Sequence, residues 1–136
     1  SLCGHKILLT GDAGRAALDE AADYAPSIGL SLPGIDRIQV PHHGSRHNVS
    51  TELLDMWLGP RLSSKLEEDN SKFTAIVSAA KADEDHPRKT VIRAFIHRGG
   101  KVITTEGGSK RTGHNAPHRE GWVTAETVPY PEEEEE

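Results

Sequence analysis

The chain has 136 residues, enough for one domain, and its single cysteine excludes a framework of internal disulfides. Five of the 21 acidic residues form the C-terminal run 132–136, so the remaining acidic and basic residues balance at 16 each. The composition therefore lacks the basic excess that is typical of nucleic-acid-binding domains. No apolar run approaches the roughly 20 residues that cross a bilayer, and no signal peptide opens the sequence. We expect no membrane segment and a cytoplasmic location.

Short apolar runs alternate with helical patterns along the chain. They predict strands over residues 6–10, 35–40, 73–78, 101–105 and 122–128, and helices over 14–25, 51–58 and 87–98. The first strand is apolar throughout, which is typical of a strand buried on both faces. Ser50 is the expected N-cap of the second helix, and Pro87 suits the first turn of the third. Strands separated by helices predict an α/β fold over residues 1–128, followed by a solvated acidic tail over 129–136.

Polar side chains follow three consecutive predicted strands. Asp12 follows the first strand, His42 and His43 follow the second, and an acidic loop that ends in His86 follows the third. Ligand sites of parallel sheets lie beyond the carboxyl ends of the strands, so these residues are expected to converge on one edge. Each feature also has a structural explanation, because Asp commonly caps helices and His86 precedes a helix.

The strings Ile7-Leu8-Leu9-Thr10-Gly11-Asp12 and Val40-Pro41-His42-His43-Gly44-Ser45, followed by His86-Pro87, resemble the C-terminal half of a metallo-β-lactamase-fold hydrolase. The subgroup they resemble is the soluble domain of ComEC-type DNA-uptake proteins. The resemblance implies an αββα sandwich, of which this chain covers mainly the C-terminal half. It also implies one or two metal ions, zinc or else manganese, and a phosphodiester or other small anionic substrate, with nucleic acid among the candidates.

The resemblance also implies a role for each matching residue. Asp12 matches a carboxylate that bridges two metals, and His42 matches a histidine ligand of the second metal. His43 and His86 are the catalytic candidates: His43 beside the metal or on the substrate, His86 as a phosphate-binding or proton-donating group. Ser45 is a candidate for binding the same anion. This chemistry is coherent because imidazole suits zinc, and a metal-bound water becomes a nucleophile near neutral pH.

The chain departs from the family at the first metal site, because the family's upstream His-x-His-x-Asp-His motif is absent. Three explanations remain open: a fragment of a longer enzyme, a half completed by another chain, or a non-catalytic relative. Half of a two-sheet sandwich leaves one sheet face uncovered, which predicts association with the missing N-terminal half or with a second copy. The alternative hypothesis is therefore a non-catalytic interaction module that binds a partner through its open face.

Overall fold

In the computed structural model, which describes residues 4–79, 85, 87–113 and 116–133, the chain forms a four-stranded parallel sheet and three α-helices. The sheet has the order β1-β2-β3-β4, with β1 at Ile7–Leu8, β2 at Arg37–Gln39, β3 at Phe73–Val77 and β4 at Gly100–Thr104. The helices are α1 at Arg15–Tyr24, α2 at Thr51–Leu58 and α3 at Lys89–Ile96. Two short strands, β5 at Lys110–Arg111 and β6 at Val123–Thr124, form a separate parallel pair. The predicted α/β class is confirmed.

The three helices lie on one face of the main sheet. One helix connects each pair of successive strands, and the strand order never reverses. Because crossovers between parallel strands are right-handed in nearly all proteins, this order places every crossover on the same side. One row of residues across the four strands packs with the helices in a single core: Leu8, Ile38, Ala75 and Val102.

The opposite face of the sheet is uncovered at the β1 edge. Ile7 is 58% exposed and Leu9 is 77% exposed, whereas Ile103 on β4 is only 4% exposed. The C-terminal segment returns to this side of the sheet, where Lys110, Arg111 and Trp122 border a cavity with Ile103 and Thr127 forms an antiparallel bridge with it. The expectation that the first strand is buried on both faces is therefore wrong, since β1 is an edge strand with no helix over its second face.

Helix α2 forms as its sequence predicts. The Ser50 side chain accepts a hydrogen bond from the Leu53 N–H at 3.2 Å, which satisfies a donor in the first turn. The indole N–H of Trp57 donates to the Leu18 carbonyl at 3.2 Å and so links α2 to α1. Because Trp57 is buried, this bond also satisfies a donor that water cannot reach.

An ion pair between the buried Arg98 and the half-exposed Asp55 joins α2 to the residues that follow α3. Arg98 is 4% exposed, and its guanidinium donates to the Asp55 carboxylate at 2.8 and 3.2 Å. It also donates to the Ala94 carbonyl at 3.1 Å and to the Thr51 carbonyl at 3.4 Å. A buried guanidinium is tolerated only with such a set of acceptors, so this residue fixes the position of α2 relative to α3.

The last strand of the main sheet begins at a glycine for a steric reason. Gly100 lies beside Phe73 in the register of β3 and β4, and a Cβ at this position would be 2.3 Å from the aromatic ring. Phe73 in turn packs edge-on against Phe95 of α3, with ring centroids 6.2 Å apart. The ring therefore occupies the space that a side chain at position 100 would need.

Thr127 and Val128 attach the C-terminal segment to β4. The Val128 N–H donates to the Val102 carbonyl at 2.7 Å, next to the bridge between Thr127 and Ile103. The predicted strand over 122–128 is thus divided: residues 123–124 form β6, and residues 127–128 form a short bridge to β4. Within the described residues, no helix is long and apolar enough to span a membrane.

Candidate functional site

The parallel arrangement brings the loops that follow the strands to one edge of the sheet. Asp12 lies in the loop after β1, His42 and His43 lie in the turn after β2, and all three side chains are exposed. This is the edge at which parallel sheets form their ligand sites. The predicted convergence of the first two loops is therefore present in the structure.

Direct hydrogen bonds lock the loops after β1 and β2 together. The His42 N–H donates to the Gly11 carbonyl at 3.3 Å, and the Gly11 N–H donates to the Gln39 side-chain oxygen at 3.1 Å. The buried Thr10 hydroxyl donates to the Gln39 carbonyl at 2.6 Å. These bonds fix the main chain beside Asp12 against the main chain that carries the two histidines.

The histidine turn, Pro41–Gly44, has an uncommon backbone. His42, His43 and Gly44 have φ angles of 49°, 57° and 83°, all in the left-handed region. Each non-glycine residue in this region costs about 1–2 kcal/mol, so the turn persists only because the surrounding contacts hold it. Its effect is to place two imidazole rings side by side on the surface, with centroids 6.1 Å apart.

Gly44 connects the histidine turn to the start of α3. A Cβ on Gly44 would lie 2.8 Å from the Pro87 Cβ and 3.1 Å from its Cα. The Arg88 N–H also donates to the Gly44 carbonyl at 3.4 Å. Only glycine allows both the positive φ and this close approach.

The His43 ring is oriented by a main-chain carbonyl. Its Nδ1 lies 2.6 Å from the carbonyl oxygen of Ser78, directly after β3. A carbonyl oxygen can only accept, so Nδ1 carries the hydrogen, and in the neutral ring Nε2 is left as the acceptor. Histidines that bind metals or exchange protons commonly have one nitrogen held in this way.

Ser45 has a structural role in addition to its predicted one. Its Oγ accepts from the His47 N–H at 3.3 Å and its own N–H donates to the His42 carbonyl at 3.1 Å. The short turn that it caps is tied to the beginning of α1, because Asn48 donates to the Ala13 carbonyl at 3.4 Å. Only the hydroxyl hydrogen of Ser45 is therefore left to donate to a bound anion, and its predicted role stays a prediction.

The structure brings together the loops of Asp12, His42, His43 and Ser45. His86 lies outside the described residues, and its neighbour Asp85 forms an ion pair with Arg88 at 3.8 Å. Across the described ranges, no group of three His, Cys, Asp or Glu side chains is close enough to hold a metal ion. This part of the chain therefore does not assemble a complete metal centre from its own side chains.

Sequence reasoning missed the groups that hold the site in place. Gln39 and the Ser78 carbonyl position the two loops, as described above. No sequence signal marks a main-chain carbonyl as a partner for histidine. Gln39 is an ordinary polar position on an alternating strand, so its bond to Gly11 became evident only once β1 and β2 were seen to be neighbours.

Comparisons with models of known protein families, with curated proteins and with solved structures found no match to this chain.

Proposed function

We propose that this chain is the C-terminal half of a metallo-β-lactamase-like αββα sandwich and supplies part of the active site of a metal-dependent hydrolase of phosphodiesters. The observation that carries the proposal is the bonded pair of loops at the carboxyl edge, with Asp12 on one loop and His42 and His43 on the other. The one-sided sheet supports it as well, because a sandwich of this kind has helices on its outer face and a second sheet on its inner face.

The site residues fit part of a metal centre. The carboxylate of Asp12 and the imidazole of His42 are of the kinds that ordinarily bind zinc. A catalytic zinc usually has three protein ligands, and the described residues bring no three together. In this proposal the remaining ligands come from the other half of the sandwich, in a longer protein or in another chain. Bound zinc or manganese would supply an activated water and stabilise negative charge on the substrate.

The residues of this chain have separate tasks in the proposal. Asp12 and His42 bind the metal. His43, held by the Ser78 carbonyl, uses Nε2 to accept or return a proton at the substrate. The Ser45 hydroxyl donates to a phosphate oxygen, and His86 keeps its predicted role at the leaving oxygen.

Hydrolysis of bis(p-nitrophenyl) phosphate in the presence of zinc or manganese tests this function. The assay uses the chain alone at high concentration and any longer protein that contains it. We expect metal-dependent release of p-nitrophenol that falls at least about 100-fold in Asp12→Ala, as loss of a catalytic group does. Asp19→Ala, on the exposed face of α1, is the matched control and should keep full activity. Retained activity in Asp12→Ala would contradict the site, and no metal-dependent hydrolysis in any form would contradict the function.

One observation favours the second candidate, a non-catalytic interaction module. An apolar groove of about 950 Å³ lies beside β1, lined by residues that include Tyr24, Ile28 and Trp57. Tyr24 is 62% exposed and Ile28 is 65% exposed, next to the exposed Ile7. Contiguous apolar surface of this kind marks association sites. A chain that associates through this surface and shows no metal-dependent activity would support the module.

A further inference from the structure

The C-terminal segment continues past the sheet onto the end of α3. Val128 is packed against the core beside β4. Two residues later, Tyr130 is half-buried against side chains from α3 and from the loop that precedes β3. This contact lies at the end of α3 opposite to the residues that touch Gly44, so it is remote from the candidate site.

Three side chains form what we call the Tyr130 socket: Lys65, Arg93 and His97. The Lys65 ammonium lies 3.7 Å from the centre of the Tyr130 ring, and the Arg93 guanidinium carbon lies 4.8 Å from it. The Tyr130 hydroxyl and His97 Nε2 form a hydrogen bond of 2.9 Å, and the two rings meet edge-on with centroids 5.6 Å apart. The ring is thus recognised through its π face and through its hydroxyl.

The socket also recognises the residue after the tyrosine. Arg93 donates from its guanidinium to the Pro131 carbonyl at 2.7 Å while it lies over the tyrosine ring. One side chain therefore fixes the register of two consecutive residues. Proline has no N–H that would compete for a partner at this position. The socket therefore contacts Tyr130 and Pro131 together.

The surroundings of the socket favour negative charge. A cleft of about 310 Å³ beside it is lined by Arg61, Arg93 and Arg98, with Asp55 already paired to Arg98. Burial and the charges of Arg61, Arg93, Lys65 and Arg98 lower the pKa of His97. The residues that follow Pro131 are glutamates. The charge of the segment thus complements the charge of the surface that it contacts.

The segment is attached by surface contacts and is not buried in the core. Tyr130 and Pro131 are only half-buried, Glu132 and Glu133 are exposed, and the main-chain bond to β4 is made upstream, at Val128. Loss of the tyrosine ring therefore leaves the sheet and its edge contact in place. We therefore expect the fold to persist when the segment leaves the socket.

We propose that the Tyr130 socket is a recognition site for acidic peptides with a tyrosine–proline core, and that the chain's own segment from Tyr130 to Glu133 occupies it as an intramolecular competitor. A tethered segment has an effective concentration near millimolar, so an external peptide binds only when the segment is displaced or changed. The site is independent of the proposed hydrolase activity, since its residues take no part in the strand-end loops.

Fluorescence anisotropy of a labelled peptide that copies residues 126–133 tests the proposal. The chain with Tyr130→Ala, which empties the socket, should bind the peptide at least about tenfold more tightly than the wild-type chain does. A peptide with alanine in place of its tyrosine should not bind. Adding Arg93→Gln to the Tyr130→Ala chain should weaken binding at least about tenfold, whereas adding Lys110→Gln, in the separate β5–β6 pair, should leave it unchanged.

Equal binding to the wild-type and Tyr130→Ala chains would overturn the proposal, as would binding that is insensitive to Arg93→Gln. If the Tyr130→Ala chain fails to fold, the wild-type chain labelled with nitrogen-15 is titrated with a large excess of unlabelled peptide. The amide signals of residues 130, 132 and 133 should then move while those of the sheet stay in place. Unchanged signals throughout the titration would overturn the proposal.

Discussion

His43 illustrates how a single side chain can be both a structural and a chemical element. Its Nδ1 ties the histidine turn to the end of β3, while Nε2 is left as an acceptor. The two roles can be separated, because asparagine places an N–H donor close to the position of Nδ1 and has no equivalent of Nε2.

We therefore expect His43→Asn and His43→Ala to differ in stability and to agree in activity. His43→Ala should lose about 0.5–1.5 kcal/mol in the free energy of unfolding, the net contribution of one hydrogen bond, and His43→Asn should lose less. Both should lose hydrolysis, since neither has Nε2. Urea unfolding measures the stability of the two variants, and the phosphodiester assay measures their activity. Full activity in His43→Asn would show that Nε2 has no part in the reaction.

His97 predicts a pH dependence of stability. Burial, followed by the charges of Arg61, Arg93, Lys65 and Arg98, lowers the pKa of this histidine below its ordinary value of 6.5. The unfolded chain therefore takes up a proton more readily than the folded one below that value. The stability associated with neutral His97 is complete above pH 6.5, and it is lost as the pH falls from 6.5 through the lowered pKa of the folded chain.

Thermal unfolding of the wild type and His97→Gln at pH 7.5 and 5.5 measures this contribution. The unfolding temperature of the wild type should fall more on acidification than that of His97→Gln, which cannot titrate at this position. Parallel falls in the two proteins would mean that His97 contributes nothing to the pH dependence.

Among the secondary-structure elements, α2 could be predicted from the sequence and β1 could not. Helix α2 occupies the predicted range Thr51–Leu58, because its cap at Ser50 and its apolar spacing are local properties. The burial of β1 depends on which strand lies beside it and on what covers its second face. Neither can be predicted from residues 6–10 alone. An apolar run therefore correctly indicated a strand while overestimating its burial.

The histidine turn shows the same distinction at the candidate site. The polar residues at the strand ends predicted which loops meet, since carboxyl ends of parallel strands share an edge. The left-handed backbone of His42 and His43 was not predictable, because this conformation is uncommon in every residue except glycine, although histidine is enriched in it relative to most others. Only Gly44 signalled an unusual φ or a close contact, and the partner in that contact, Pro87, became evident from the packing of α3.

Gly44→Ala tests whether this packing holds the turn. The substitution places a methyl group in the left-handed region and 2.8 Å from the Pro87 Cβ, so we expect a loss of about 2–4 kcal/mol in the free energy of unfolding. Gly14→Ala is the matched control, because Gly14 has a φ of −82° and nothing lies within 4 Å of the position that its methyl group would take. Urea unfolding of both variants measures these losses. Equal, small losses in the free energy of unfolding would contradict the tight contact between Gly44 and Pro87.

The unreversed strand order determines which face of the main sheet the helices cover. It places α1, α2 and α3 on one face of the sheet. The C-terminal segment lies on the β4 side of the other face, and the β1 side of that face is uncovered. The sequence predicted the alternation of strands and helices, but not that the C-terminal segment covers the β4 side. That cover depends on a contact between Thr127 and Ile103, which are far apart in the chain.

The uncovered part of this face predicts self-association of the isolated chain. Leu9 is 77% exposed at the end of β1, so Leu9→Glu places a charge on the surface without disturbing the core. Sedimentation should show concentration-dependent association of the wild type and a monomer for Leu9→Glu, with Leu66→Glu, at an exposed leucine outside the face, as the control. A wild type that stays monomeric at every concentration would contradict association through this face.

Zinc binding by the isolated chain tests for a metal site at the carboxyl edge of the sheet. Calorimetric titration should show weak zinc binding, because a carboxylate and an imidazole on locked loops form part of a site that the described residues do not complete. Asp12→Ala and His42→Ala should each weaken binding at least about tenfold, whereas His118→Ala, at an exposed histidine of the C-terminal loop, should not. Equal weakening by all three substitutions, or no weakening by either Asp12→Ala or His42→Ala, would contradict the assignment of these residues to a metal site.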